Sequence, residues 1–205
     1  SGLGFLTSLG HVRFALDPEL CNKSLAYSVA RLLPLAHYYV HATHFCREKS
    51  RYEYGLVTHA FAAAIKTLLK EYLLLIAQLE HQFLQGNLTL QKLWFFTQPS
   101  LQTMTVINDL IESVSELSGG RLLNVLQDAL RTSGDEKLRR VHEWLLHRAS
   151  APYLEMLARW IYHGELDDPY EEFMIQEDPS MKNKEMILQD FNAQYWDLKY
   201  TVRTE

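Results

Sequence analysis

The chain has 205 residues, 47% of them hydrophobic and 12% aromatic, too apolar for a disordered segment and long enough to build a sizeable core without cross-links. Lys and Arg number 20 against 25 Asp and Glu, a formal net charge of −5, and the basic residues are scattered singly or in pairs such as Arg139-Arg140, so a phosphate-binding surface for nucleic acid is not expected. Cys21 and Cys46 form no CxxC pattern and read as buried small residues of a reducing compartment. No unbroken apolar run approaches the roughly 20 residues that cross a bilayer, and no basic region followed by an apolar one opens the chain.

Residues 1–16 are Gly-rich and mildly apolar, a connector in which 12–16 suits one short strand before Asp17-Pro18-Glu19 closes it. From about residue 24 to 49, Leu25, Val29, Leu32, Leu33, Ala36, Tyr39 and Val40 follow helical spacing, and Pro34 is expected to break or kink the run. Residues 56–85 carry the longest periodic stripe, through Phe61, Ile65, Leu68, Leu69, Tyr72, Leu75, Ile76, Leu79 and Phe83, with Gly86-Asn87 as its stop. A helix of that length spans roughly 45 Å. So wide a stripe calls for burial, which makes this the central element of a helical stack.

Thr89 suits the N-cap of a helix through 96, which Gln98-Pro99 is expected to end. Ser100 then caps a helix with Leu101, Met104, Ile107, Leu110, Ile111, Val114 and Leu117 on its face, closed by Ser118-Gly119-Gly120. Residues 122–130 and 135–148 give two more amphipathic pieces separated by Thr132-Ser133-Gly134. Ser150 as N-cap, Pro152 in the first turn and Glu155 near the positive end of the dipole start another helix, with Gly164 following its last turn. Asp167, Asp168 and Pro169 force a turn. Residues 172–175 then read as extended, or as one helical turn capped by Asp168. Beyond them, Asp178-Pro179-Ser180 opens a charged helix over about 182–192, Tyr195-Trp196 gives an apolar anchor, and 200–202 suit a short strand able to pair with 173–175.

The short connections predict a mainly all-α fold: an elongated antiparallel helical bundle or stack with at most a short β pair near the C-terminus. One helical domain over 1–205 is expected, with 176–205 as a charged helix and link toward a further domain.

His37, His41 and His44 lie at spacings of four and three, which lines three imidazoles along one helical face in metal-ligand fashion. No Asp or Glu lies within the same turns and no HExxH pair occurs, so packed or partly exposed histidines are the plainer reading. A small helical metal-binding protein is the alternative function. Asp167, Asp168, Glu171, Glu172, Glu177 and Asp178 read as a turn and a solvated edge rather than an acid/base pair. No Gly-x-Ser-x-Gly elbow and no Gly-Lys-Ser/Thr phosphate loop occurs, so no catalytic, cofactor-binding or metal residue is assigned and no enzyme is expected. The stripe over 56–83 reads as core rather than as a membrane or coiled-coil surface, because Lys66, Lys70 and Glu71 leave a polar side.

Ala151-Pro152-Tyr153, Trp160-Ile161-Tyr162-His163-Gly164 and Asp168-Pro169-Tyr170-Glu171-Glu172-Phe173-Met174 occur in order. Ahead of them stand Phe14-Ala15-Leu16-Asp17-Pro18, Arg31-Leu32-Leu33-Pro34-Leu35-Ala36, Tyr52-Glu53-Tyr54-Gly55-Leu56-Val57-Thr58-His59-Ala60 and Leu90-Gln91-Lys92-Leu93-Trp94-Phe95-Phe96. Asp190-Phe191-Asn192, Tyr195-Trp196-Asp197 and Lys199-Tyr200-Thr201 come after them. This series resembles the gamma-tubulin complex components, in their first conserved (GRIP) domain, and leaves only about 118–137 unmatched.

The resemblance implies an N-terminal scaffold domain of a cytoplasmic and cytoskeletal subunit that lines up side by side with its neighbours. They template microtubule nucleation at centrosomes or spindle poles. It implies lateral partners, chiefly gamma-tubulin complex component 3 or another copy of its kind, with gamma-tubulin itself held by a C-terminal domain. No cofactor, nucleic acid or membrane enters. The signature residues Pro152, Tyr153, Trp160, Gly164, Asp168, Pro169, Tyr170 and Phe173 are expected to be mainly structural. For the lateral contact the candidates are Tyr52, Glu53 and Tyr54, beside the start of the long helix, since tyrosine supplies contact area with few torsions to freeze. The alternative is a turn that packs on its own helix.

Overall fold

A computed structural model of the chain describes residues 7–9, 12–14, 23–178 and 199–203, without the side chains of 7–9, 12–14, 23, 24 and 52. It opens on β1 (Thr7–Leu9) and β2 (Val12–Phe14), an antiparallel pair with Thr7 opposite Phe14. The strand expected at 12–16 therefore has a partner within the Gly-rich connector. Next come α1 (Lys23–Ala30) and α2 (Leu33–Glu48). The break falls at residues 31 and 32, just ahead of Pro34, which occupies the first turn of α2, where a missing N–H costs nothing.

After a 3-10 turn over Tyr52–Tyr54, the long stripe forms a single helix, α3 (Leu56–Leu84). It packs against α2 and the later helices as the central element. Phe61 and Ile65 are fully buried, each contributing on the order of 1.5–3 kcal/mol. Phe45 of α2 meets Phe61 edge-on, ring centroids 6.0 Å apart.

Two expected breaks are absent. α4 (Leu90–Val114) is capped by Thr89, whose Oγ1 accepts the Lys92 N–H, but it runs through Gln98-Pro99 and gives Ser100 no capping role. A proline inside a helix costs about 3 kcal/mol. Here burial of Thr97 before Pro99, and of Met104 and Ile107 after it, outweighs that cost. Pro99 and Phe95, the residue whose carbonyl Pro99 cannot serve, are both exposed. α5 (Gly119–Thr132) comes next, so Ser118-Gly119-Gly120 opens a helix rather than closing one.

α6 (Glu136–His163) then runs through Ser150 and Pro152, where a helix start was expected. Its N-cap is Asp135, which accepts the Lys137 N–H at 2.8 Å, while Ser150 Oγ donates back to the His147 carbonyl. Leu145 and Ala149 before Pro152 and Met156 after it are all buried, so one continuous face holds the helix across the proline. Gly164 does end it, at φ 67, with its N–H on the Trp160 carbonyl.

β3 (Ile175–Glu177) and β4 (Tyr200–Val202) pair antiparallel, Ile175 opposite Val202. Of the expected extended residues 172–175 only Ile175 is in the strand, because Asp168 holds the N–H groups of Glu172 and Phe173 in the turn before it. The expected charged helix over 182–192 and the Tyr195-Trp196 anchor lie outside the described residues. The fold is mainly all-α, with the core contributed by α2 to α6.

Candidate protein-interaction site

Gly55 enters α3 at φ 89 and ψ 165, a region open to glycine, and a Cβ there would lie 2.3 Å from Glu172 Oε1. A glycine has no side chain to cap the helix it precedes. The carboxylate of Glu172 takes that role, accepting the Leu56 N–H at 2.6 Å and the Val57 N–H at 3.1 Å. It also accepts the N–H of Gly119 at the start of α5, so one carboxylate faces the positive ends of two helices. Gly119 has φ 57, and a Cβ on it would lie 2.7 Å from the Glu172 carbonyl oxygen. Glu172 is only 7% exposed. Burial pushes its pKa up, more strongly than its backbone hydrogen bonds to Val57, Leu56 and Gly119 pull it down, and the nearby Asp168 adds to the rise.

Asp168 holds the other side of the joint. Its side chain is 4% exposed and accepts the N–H groups of Glu172 at 2.9 Å and Phe173 at 2.8 Å, with the Arg203 guanidinium 3.7 Å away. Arg203 also donates to the carbonyl of Glu171, whose φ of 58 is the one positive value outside glycine among the described residues. The expectation that these carboxylates form a solvated edge is therefore wrong for Asp168 and Glu172, because backbone N–H groups at the turn and at two helix starts satisfy them inside. It holds for Asp167, which stays exposed and pairs with Arg159 at 3.1 Å.

The signature residues gather around this joint. Tyr153 packs on the buried Phe173 with centroids 5.4 Å apart, and Trp160 meets Tyr200 of β4 edge-on at 4.6 Å. Pro152 is half-buried within α6, Gly164 ends that helix, and Pro169 and Tyr170 form the turn after Asp168. The turn Tyr52–Tyr54 leads straight into Gly55. Glu53 is exposed, Tyr54 is half-buried with Lys49 Nζ 4.1 Å over its ring, and the side chain of Tyr52 lies outside the described residues.

A second exposed feature was missed in the sequence. In the outer half of α3 the expected stripe keeps Leu79 buried and Tyr72, Leu75 and Ile76 half-buried but leaves Phe83 outside, and Leu73, Leu74 and Leu84 (77% exposed), which lie off that stripe, stand out as well. Phe95 (72% exposed) and Phe96 stand out at the start of α4, beside a recess of about 540 Å³ that also touches Gln82, Gln85 and Gln91. The signal was adjacency: neighbouring helical positions such as 83-84 and 95-96 point about 100° apart, so both members of a pair do not fit one narrow buried face. On α6, Leu154, Ile161 and Tyr162 are likewise exposed.

The histidine row does not converge. His37 is buried with Nε2 making no hydrogen bond, and its pKa is lowered by burial and then by His41. His41 Nδ1 is 2.8 Å from Asn108 Oδ1, and Asn108 in turn donates to Glu112. His44 is exposed, 3.8 Å from Glu48. Packing on α4 turns these rings to different neighbours, and no cluster able to hold a metal ion occurs among the described residues. The metal-binding alternative has no site in them.

Helices sharing one core, with large apolar side chains left outside it on helix faces, define a helical-bundle domain. The chain belongs to the gamma-tubulin complex component family: the family profile described as "Gamma tubulin complex component N-terminal" matches residues 6–205. It is similar to gamma-tubulin complex component 2 of Mus musculus, 46% identical over 192 residues, which are 92% of this chain and 21% of that protein. It is 31% identical over 161 residues to gamma-tubulin complex component 3 of Homo sapiens, covering 73% of this chain and 17% of the relative. With the spindle pole body component alp4 of Schizosaccharomyces pombe it shares 27% over 221 residues, covering 86% of this chain and 28% of that protein. The higher identity to component 2 agrees with Glu172-Phe173-Met174 and Tyr195-Trp196-Asp197, whose forms resemble that member. The chain spans less than a third of the length of these relatives.

Proposed function

We propose that this chain is a non-enzymatic scaffold domain of a gamma-tubulin complex subunit, packing laterally against the N-terminal domains of neighbouring components, component 3 first. It contributes to the assembly from which microtubules are nucleated. In this reading residues 1–205 are one helical domain of a longer subunit, and gamma-tubulin is held elsewhere in that subunit. The domain works in the cytoskeleton, at a microtubule organising centre; the likeness to a spindle pole body component supports that location.

The observation that carries the proposal is membership of the family over residues 6–205, joined to the apolar side chains left outside the core. We assign the contact to the two ends of α3: the turn Tyr52, Glu53 and Tyr54 at its start, and Phe83, Leu84, Phe95 and Phe96 at its far end. A helix of 29 residues separates them by about 43 Å, so a neighbour lying alongside α3 meets both.

The test is a size-resolved binding assay of this chain against the N-terminal domain of component 3, with gamma-tubulin in parallel. Binding to the domain and not to gamma-tubulin is expected. The double substitution Phe83→Ser with Phe95→Ser should weaken it by about tenfold or more while leaving thermal stability unchanged, since both rings are exposed. Undiminished binding by that variant would remove the far end of α3 from the contact, and gamma-tubulin binding by this chain alone would overturn the division of labour.

A further inference from the structure

We propose that Glu172 is a positioning residue for the turn 52–54: by holding the first two N–H groups of α3 it sets the pose in which Glu53 and Tyr54 meet a neighbouring complex component. This rests on the assignment of that turn to the lateral contact.

The turn holds itself weakly. Its backbone bonds, from Arg51 N–H to the Glu48 carbonyl and from Tyr54 N–H to the Arg51 carbonyl, are both 3.4 Å long. The helix start just beyond it is firmly held. Both oxygens of Glu172 engage the first residues of α3, at 2.6 Å from Leu56 N and at 3.1 and 3.2 Å from Val57 N. The carboxylate is itself immobilised, because Asp168 grips the N–H groups of Glu172 and Phe173, and Phe173 is packed on Tyr153 of α6.

Along the chain Tyr54 meets this anchored point through Gly55, while on its other side the turn continues into α2, with Lys49 Nζ 4.1 Å over the Tyr54 ring. Gly55 is conformationally permissive, so its φ and ψ set the angle at which the turn leaves α3. Glu172 removes that freedom by fixing the peptide on the far side of the hinge. A turn held in one pose has less entropy to lose on docking, which is how a buried residue that touches no partner changes affinity. A glutamine at 172 keeps the shape but sets an NH2 group against a backbone N–H, donor against donor, and so loosens the grip.

The experiment measures affinity of the full chain for the N-terminal domain of component 3 in four forms. These are the wild type, Glu172→Gln, a turn variant carrying Glu53→Arg and Tyr54→Ala, and the combination. Glu172→Gln should weaken binding about fivefold to tenfold. The combination should be no weaker than the turn variant alone, because Glu172 acts through the turn. Amide exchange at Leu56 and Val57 should speed up about tenfold or more in Glu172→Gln, with the α4 amides unchanged. If α4 also exchanges faster, the fold itself has loosened, and Glu172→Asp, which keeps the charge on a shorter arm, replaces it in the same cycle. Wild-type affinity in the position-172 variant, or additive losses in the combination, overturns the positioning role while the turn assignment stands. A turn variant that binds like the wild type overturns the assignment itself.

Discussion

Replacing Gly119 by alanine, and in a separate protein Gly120 by alanine, puts the same methyl group at adjacent positions in the first turn of α5. At Gly119 the backbone has φ +57, and the new Cβ would sit 2.7 Å from the carbonyl oxygen and 2.9 Å from the Cα of Glu172. The left-handed conformation costs a non-glycine residue about 1–2 kcal/mol, and pushing two backbone segments apart costs about 1–3 kcal/mol more. The loss at 119 is therefore about 2–5 kcal/mol. At Gly120 the Cβ would meet the Tyr153 ring at 3.7 Å, an ordinary contact. Alanine there gains up to about 1 kcal/mol of helix propensity. Urea unfolding followed by far-UV circular dichroism compares the two. In a chain of this size each kcal/mol moves Tm by about 2–4 °C, so Gly119→Ala should melt roughly 4–20 °C lower. A Gly119→Ala protein within about 0.5 kcal/mol of wild type, or equal losses at both positions, would refute the close approach of residue 172 to the α5 entry.

Two further predictions concern buried titratable groups. Burial holds the pKa of His37 below its ordinary 6.5, so its neutral form stabilises the fold above that value. That contribution is lost as pH falls through and below about 6.5. Urea midpoints between about pH 7 and pH 5 should drop less in His37→Leu than in wild type, and parallel drops would exclude His37 as a source of the acid sensitivity. The Cys46 thiol, buried and with Sγ 3.4 Å from the Ala62 carbonyl oxygen, is pushed up to about 11 by burial. Site-resolved alkylation at Cys46 near pH 8 should be slow and should speed up with urea, because only the opened chain exposes the thiol. Labelling as fast as in a short peptide would contradict the burial.

The elements that local chemistry governs were legible in the sequence. The 3.6-residue stripe of α3, the Thr89 cap and the Gly164 stop each depend on residues within a turn or two of the feature they define. The expected breaks at Gln98-Pro99 and Ser150-Pro152 failed because a proline's cost is local while the burial that outweighs it comes from other helices. The joint was hidden for the same reason. Gly55 stands in the sequence between Tyr54 and Leu56 with no sign of what it must accommodate, and the group that crowds it is Glu172. The carboxylate at 172 looked like part of a solvated turn because its N–H partners at 56, 57 and 119 are remote in the chain, whereas Asp168 caps the N–H groups of Glu172 and Phe173, only four and five residues on. At the far end of α3 the error ran the other way: Phe83, counted with the buried stripe, is exposed.

The cap on α3 also bears on the order in which the molecule comes together. Glu172 reaches Leu56 across 116 residues. At synthesis rates of about 5–20 residues per second, the start of α3 exists for about 6–23 s before its cap is made. Through that interval its first N–H groups depend on water and the first turn frays, while the body of the helix can already settle on α2. In refolding from the complete chain, the same long loop makes the contact expensive to close early. Contacts that form after the rate-limiting step leave the speed of folding unchanged and govern the speed of unfolding. Weakening the Glu172 joint thus shortens the lifetime of the folded domain more than it delays its formation.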